Sequence, residues 1–115
     1  MTVSEAKAQN AASHTTLLSL PAQPGEVRFD RQELSAILRI YGRFVASGEW
    51  RDYAIVFSSE KAVFAILRHT GETPLYRIEK DPKRAAKQGA YAVIAQGGLV
   101  LKRGRDLEHV LAVFD

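Results

Sequence analysis

The chain has no cysteine, one tryptophan, one methionine and four prolines in 115 residues. Without cysteine there can be no disulfide framework, no thiolate metal site and no cysteine nucleophile, and the composition fits a reducing compartment such as the cytoplasm, or indifference to redox state. Long apolar runs are missing as well. The longest stretches are only a few residues, against roughly 20 for a spanning helix, so no membrane insertion is expected. The one apolar cluster near the N-terminus, Leu17, Leu18 and Leu20, is too short and too weakly preceded by positive charge to read as a secretory signal. Nucleotide and hydrolase motifs are lacking: there is no G-x-S-x-G elbow, no G-x-x-x-x-G-K-[ST] loop and no G-x-G-x-x-G opening a helix. His14, His69 and His109 fall in a tail, a loop and a helix, without the i, i+4 spacing or carboxylate neighbours of a metal site. No cofactor and no catalytic set is therefore expected, and Glu49 with Asp52 or Asp81 with Asp106 read as caps or surface pairs.

What remains is the balance of an ordinary globular protein, 46% hydrophobic and 25% charged, in a length that fits one core. Residues 1–25 read as a flexible tail, since Ala, Ser, Thr, Asn and Gln dominate it and Pro21, Pro24 and Gly25 punctuate its end. Its leucines are free to dock on the domain or on a partner. The folded domain runs from 26 to 115.

Within it, Asp30 and Glu33 form a capping box ahead of Leu34, Ile37, Leu38, Tyr41, Phe44 and Val45, which recur at helical spacing. With Gly48 as a left-handed stop, the spacing predicts a helix over 31–47 whose outer face carries Gln32, Ser35, Arg39, Arg43 and Ser47. The period then drops to two. Strands are predicted over 53–57, 62–68 and 75–80, joined by connections short enough to require antiparallel neighbours. The second is apolar at both parities and reads as central; the third alternates Tyr76 and Ile78 with Arg77 and Glu79 and reads as a half-exposed edge. Asp81-Pro82 opens a short basic turn closed by Gly89, and strands over 91–96 and 99–102 flank Gly97-Gly98 as a hairpin. Asp106 caps a last helix through Leu107, Val110, Leu111 and Phe114. The fold class is α+β, a single domain of order α-β-β-β-α-β-β-α, with helices packed on a mainly antiparallel five-stranded sheet.

Two surfaces attract a functional reading. From Glu26 to Glu79 eight basic residues balance eight acidic ones, whereas Lys80, Lys83, Arg84, Lys87, Lys102, Arg103 and Arg105 face Asp81 alone in the next stretch. If they converge, they form a basic patch for an anionic protein or a nucleic acid. The second surface is a corner of Trp50, Arg51 and Tyr53, with Tyr76 and Arg77 on the third strand, residue types that dominate interface hot spots. Against these stand a solvated basic face and a tryptophan that merely closes the core. The third strand, as an edge, also admits a homodimer by strand addition.

Several linked blocks carry a family resemblance: Phe29-Asp30-Arg31-x-Glu33-Leu34, Tyr41-Gly42-Arg43, Gly48-Glu49-Trp50-Arg51-Asp52-Tyr53, Pro74-Leu75-Tyr76-Arg77-Ile78-Glu79-Lys80 and Leu101-Lys102-Arg103-Gly104-x-Asp106-Leu107. Together they resemble a small family, mostly from alphaproteobacteria, catalogued as domain of unknown function 2794. The likeness covers nearly all of residues 26–115. It implies a bacterial cytoplasmic protein of one domain and supplies no activity, substrate or catalytic residue. The residues themselves favour a small non-catalytic binding or regulatory module. The alternatives are an electrostatic nucleic-acid-binding domain through 80–105 and a small enzyme of unknown reaction.

Overall fold

The computed structural model describes residues 25–68 and 73–115. The proposed tail to Pro24 with its leucines, His14, and the loop residues His69 to Glu72 lie outside the described residues. Helix α1 spans Arg31–Ala46. Its N-terminus is closed by the capping box: the Asp30 carboxylate accepts from the Glu33 amide, and the Glu33 carboxylate from the Asp30 amide, both at 2.8 Å. Such a cap stabilises by about 1 kcal/mol. Gly48, at φ +84°, ends the element. The buried stripe is Leu34, Ala36, Ile37, Ile40 and Tyr41, rotated from the predicted one so that Val45 is left exposed. The rotation follows from a second layer neighbour, the C-terminal helix, which draws Ile40 inward and which the periodicity of α1 alone does not reveal.

Strands β1 (Asp52–Phe57), β2 (Ala62–Leu67), β3 (Tyr76–Lys80), β4 (Tyr91–Ala95) and β5 (Val100–Gly104) form one sheet in the order β1-β2-β3-β4-β5, every neighbouring pair antiparallel. The register aligns Ile55, Phe64, Ile78 and Val93 across four strands on one face. Against that row pack α1 and the short helix α2 (Leu107–Leu111), so that Ile37, Phe64, Ile78, Val93 and Val110 share one core at zero exposure. At about 25 cal/mol per Å² of apolar surface removed from water, this shared core is the main driving force of the fold.

The order corrects one expectation. The strand holding Pro74–Lys80 is not an edge: β3 lies between β2 and β4. Its alternating charges suggested solvent, but Glu79 is 7% exposed and bonds to Arg77 at 3.2 Å and to Lys61 at 3.3 Å, so the charges pair on the sheet surface. Strand addition along β3 is thereby excluded. The last hairpin also differs in detail. Gly97 and Gly98 both have positive φ, the turn includes Gln96 and Leu99, and a bulge between Val93 and Ile94 shifts the register of β5.

Candidate functional site

The residues between 80 and 105 meet different fates. Lys80 lies on the helix-covered face, where its Nζ donates to Glu33 Oε1 and to the Arg28 carbonyl, both at 2.8 Å. The Tyr91 hydroxyl donates to Glu33 Oε2, so one capping carboxylate ties α1 to β3 and β4. Lys80 is thus taken up in holding the fold. Asp81 caps the 3₁₀ turn Pro82–Arg84; Arg84 pairs with Asp81 at 3.6 Å and Lys83 with Glu60 at 3.7 Å. Arg105 reaches back to the carbonyls of Ala85, Ala86 and Lys87 at 3.3 to 3.4 Å, using its planar fork to close the open end of that turn. Among the described residues Lys87, Lys102 and Arg103 make no ion pair. Lys102 stands opposite Val93 and Arg103 opposite Ala92, so the two point to opposite faces of one edge strand. The seven cations are therefore distributed over a turn and both faces of the sheet, with exposed, unpaired charge left mainly on β5.

Burial, then the hydrogen bond to Glu33, pushes the Tyr91 hydroxyl well above its usual range, and burial together with the negative charge of Asp52 pushes Tyr41 up to about 12. Unfolded tyrosines ionise near pH 10, so above that pH the folded chain binds more protons than the unfolded one. Stability is fully present below pH 10 and falls as pH rises through the window to about 12. Urea unfolding across that window should show a smaller loss for Tyr41→Phe/Tyr91→Phe than for the wild type; equal losses would contradict the assignment.

The aromatic corner turns inward. Trp50 is 4% exposed, stacked on Phe44 at 4.3 Å and met edge-on by Phe114 at 5.1 Å, with Tyr41 and Tyr76 at 6.2 and 6.0 Å. Tyr53 is likewise buried and stacks on Phe64 at 4.8 Å. Only Arg51 is exposed, while Arg77 leaves the corner for Glu79 on the other face. The indole thus closes the core at the α1–β1 junction.

A shallow groove between α1 and α2 is lined by Arg39, Ile40, Arg43, Glu108, Leu111 and Asp115. Its charges satisfy one another, Arg39 with Glu108 at 3.1 Å and Arg43 with Asp115 at 2.9 Å. Among the described residues no group of three or more His, Asp or Glu is arranged to hold a metal ion, and no helix is long and apolar enough to cross a membrane.

The feature that sequence reasoning missed is the β5 edge. Leu99, Val100 and Leu101 are 65%, 44% and 38% exposed in succession. The other edge strand is different: β1 is buried over its first four residues. The signal was present as an apolar triplet between Gly97-Gly98 and Lys102-Arg103, but which strand forms an edge is decided by non-local pairing.

A family model described as a protein of unknown function (DUF2794) matches residues 27–111. The chain belongs to this family. The DUF2794 match begins at Val27, whose amide bonds to the Ser58 carbonyl, and ends at Leu111, the last residue of α2, so it takes in the whole sheet and both helices. No curated protein and no solved structure matches the chain.

Proposed function

We propose that this DUF2794 domain is a non-catalytic binding module of the bacterial cytoplasm that takes an extended, acidic and apolar segment of a partner protein as a sixth strand along β5. The observation that carries this reading is the exposed run Leu99-Val100-Leu101 on an open edge, followed by Lys102 and Arg103 without ion-pair partners among the described residues. Edge strands are ordinarily blunted by charge, proline or a covering element. Here the bulge supplies twist, but the apolar side chains stay in water. An added strand would satisfy main-chain groups of the edge, cover part of the apolar run and bring its carboxylates to whichever of Lys102 and Arg103 shares their face. The absence of cysteine supports a reducing compartment.

A peptide of about eight residues alternating Glu and Val serves as the probe, with its Lys-Val counterpart and a short DNA duplex as comparisons, at low and high salt. The acidic peptide should bind best. Leu99→Ser/Leu101→Ser and Lys102→Glu/Arg103→Glu should each weaken it by about tenfold or more, since two leucines, or one charge contact turned into repulsion, are worth at least ~1.4 kcal/mol. Because all four side chains are at the surface or partly so, stability should stay within about 1 kcal/mol. Tight duplex binding indifferent to the leucine substitutions would replace this reading with the electrostatic nucleic-acid one.

A further inference from the structure

A sixth strand can bond only to main-chain groups of β5 that do not already face β4. Hydrogen bonds fix the alternation of β4 at both ends. The Ala90 carbonyl accepts from Asp81 and the Gln96 amide donates to the Leu75 carbonyl, both toward β3, whereas the Ala95 amide donates to the Leu99 carbonyl at 2.7 Å, toward β5. Successive residues of a strand turn their amide and carbonyl to opposite neighbours, so Tyr91 and Val93 bond to β5 while Ala92 and Ile94 bond to β3. The residues opposite Ala92 and Ile94, Arg103 and Val100, therefore present amide and carbonyl to the open edge. The bulge lies between them, where two residues, Leu101 and Lys102, oppose the single Val93. Val100 and Arg103 thus keep the spacing of Ile94 and Ala92, and a regular strand can reach both.

The side chains divide between the two faces. Val100 and Arg103 share the side of Ile94 and Ala92, away from the helices; Lys102 shares the side of Val93, and so does Leu99, bonded to Ala95. A segment alternating acidic and apolar residues can dock in two ways. With its apolar side toward the helices it covers Leu99, the most exposed of the triplet, and leads a carboxylate to Arg103; reversed, it covers Val100 and leads a carboxylate to Lys102. Two further features favour the first way. Helix α2 packs on β4 and β5, and with its cap it brings the carboxylates of Asp106 and Glu108 to the Lys102 side, where an incoming acid meets repulsion. Arg103 also bonds the opposing residue of an added strand through its main chain, which holds its guanidinium fork level with that residue's side chain.

We propose that Arg103 selects the partner: it takes a carboxylate from the residue opposite it, on the face away from the helices, while the apolar residues flanking that acid lie on the Leu99 side and Lys102 stays in solvent. This rests on the β5 reading and names the side of the added strand that must be acidic.

The alternating Glu-Val peptide, titrated against full-length variants, provides the test, with amide exchange as a second readout. Arg103→Gln should weaken binding by about tenfold and Lys102→Gln by less than about twofold. Arg103→Glu should reverse the charge preference, so that the Lys-Val peptide binds more tightly than the Glu-Val one. Bound peptide should slow exchange at Val100 and Arg103, the outward amides, in the wild type and in Lys102→Gln alike. Equal losses from the two glutamine variants, or a larger loss from Lys102→Gln, would overturn the choice of Arg103 while leaving β5 as the occupied edge. A wild-type protein that does not bind the peptide would remove the edge reading and the inference with it.

Discussion

Gly89→Ala should destabilise the domain by about 3–5 kcal/mol, enough to unfold a large fraction of a chain of ordinary stability. Two costs combine. Gly89 has φ +101°, a conformation that L side chains rarely adopt and that costs a β-carbon about 1–3 kcal/mol. A β-carbon there would also lie 2.1 Å from the Gly104 carbonyl carbon, 2.3 Å from its oxygen and 2.6 Å from the Arg105 nitrogen. All three are backbone atoms, so no rotamer change relieves the clash, and β5 would have to leave the 3₁₀ turn that Arg105 closes. Gly97→Ala is the comparison. Its φ of +88° is similar, but nothing lies within 4 Å, so the cost should stay near 1 kcal/mol. Urea unfolding of both variants decides: equal losses would mean that the approach of Gly89 to Gly104 is not present in solution.

Trp50→Ala should cost about 3–5 kcal/mol, the range for deleting a buried aromatic side chain. The loss exposes one face of Phe44 and removes the edge contact with Phe114, which fastens the last residues of the chain to the α1–β1 junction. Arg51→Ala beside it should stay within about 0.5 kcal/mol, since Arg51 is exposed and forms no ion pair among the described residues. Unfolding measurements on the two single variants separate a core tryptophan from an interface one. A Trp50→Ala protein of wild-type stability would return the corner to the list of binding surfaces.

The parts of the fold legible in the sequence are those fixed by local chemistry. Asp30 and Glu33 announced the start of α1 because a capping box needs only four residues. Gly48 announced its end for a similar reason. The interior position of β2 was legible because both of its parities are apolar. Strand β3 misled because Arg77 and Glu79 alternate like solvent-facing residues, yet their charges cancel on the sheet surface with help from Lys61, eighteen positions before Glu79. Lys80 misled in the same way: its partner Glu33 is 47 residues distant, and no local pattern connects them. The bulge in β5 depends on how β4 lies beside it, so the exposure of Leu99, Val100 and Leu101 could not be read from the strand alone, whereas the split of Lys102 and Arg103 between two faces needs only strand alternation.

These misreadings share one origin and point to one surface. Where charges have partners far along the chain, the basic segment serves the fold; where they do not, on β5, it remains open to a ligand. The direct measurement is amide exchange along β5 during titration with the alternating Glu-Val peptide. Occupation of the edge as a sixth strand predicts new protection at outward-facing amides of Val100 to Gly104, with β1 unchanged. Binding without protection on β5, or protection confined to β1 or to the α1–α2 groove, would contradict it.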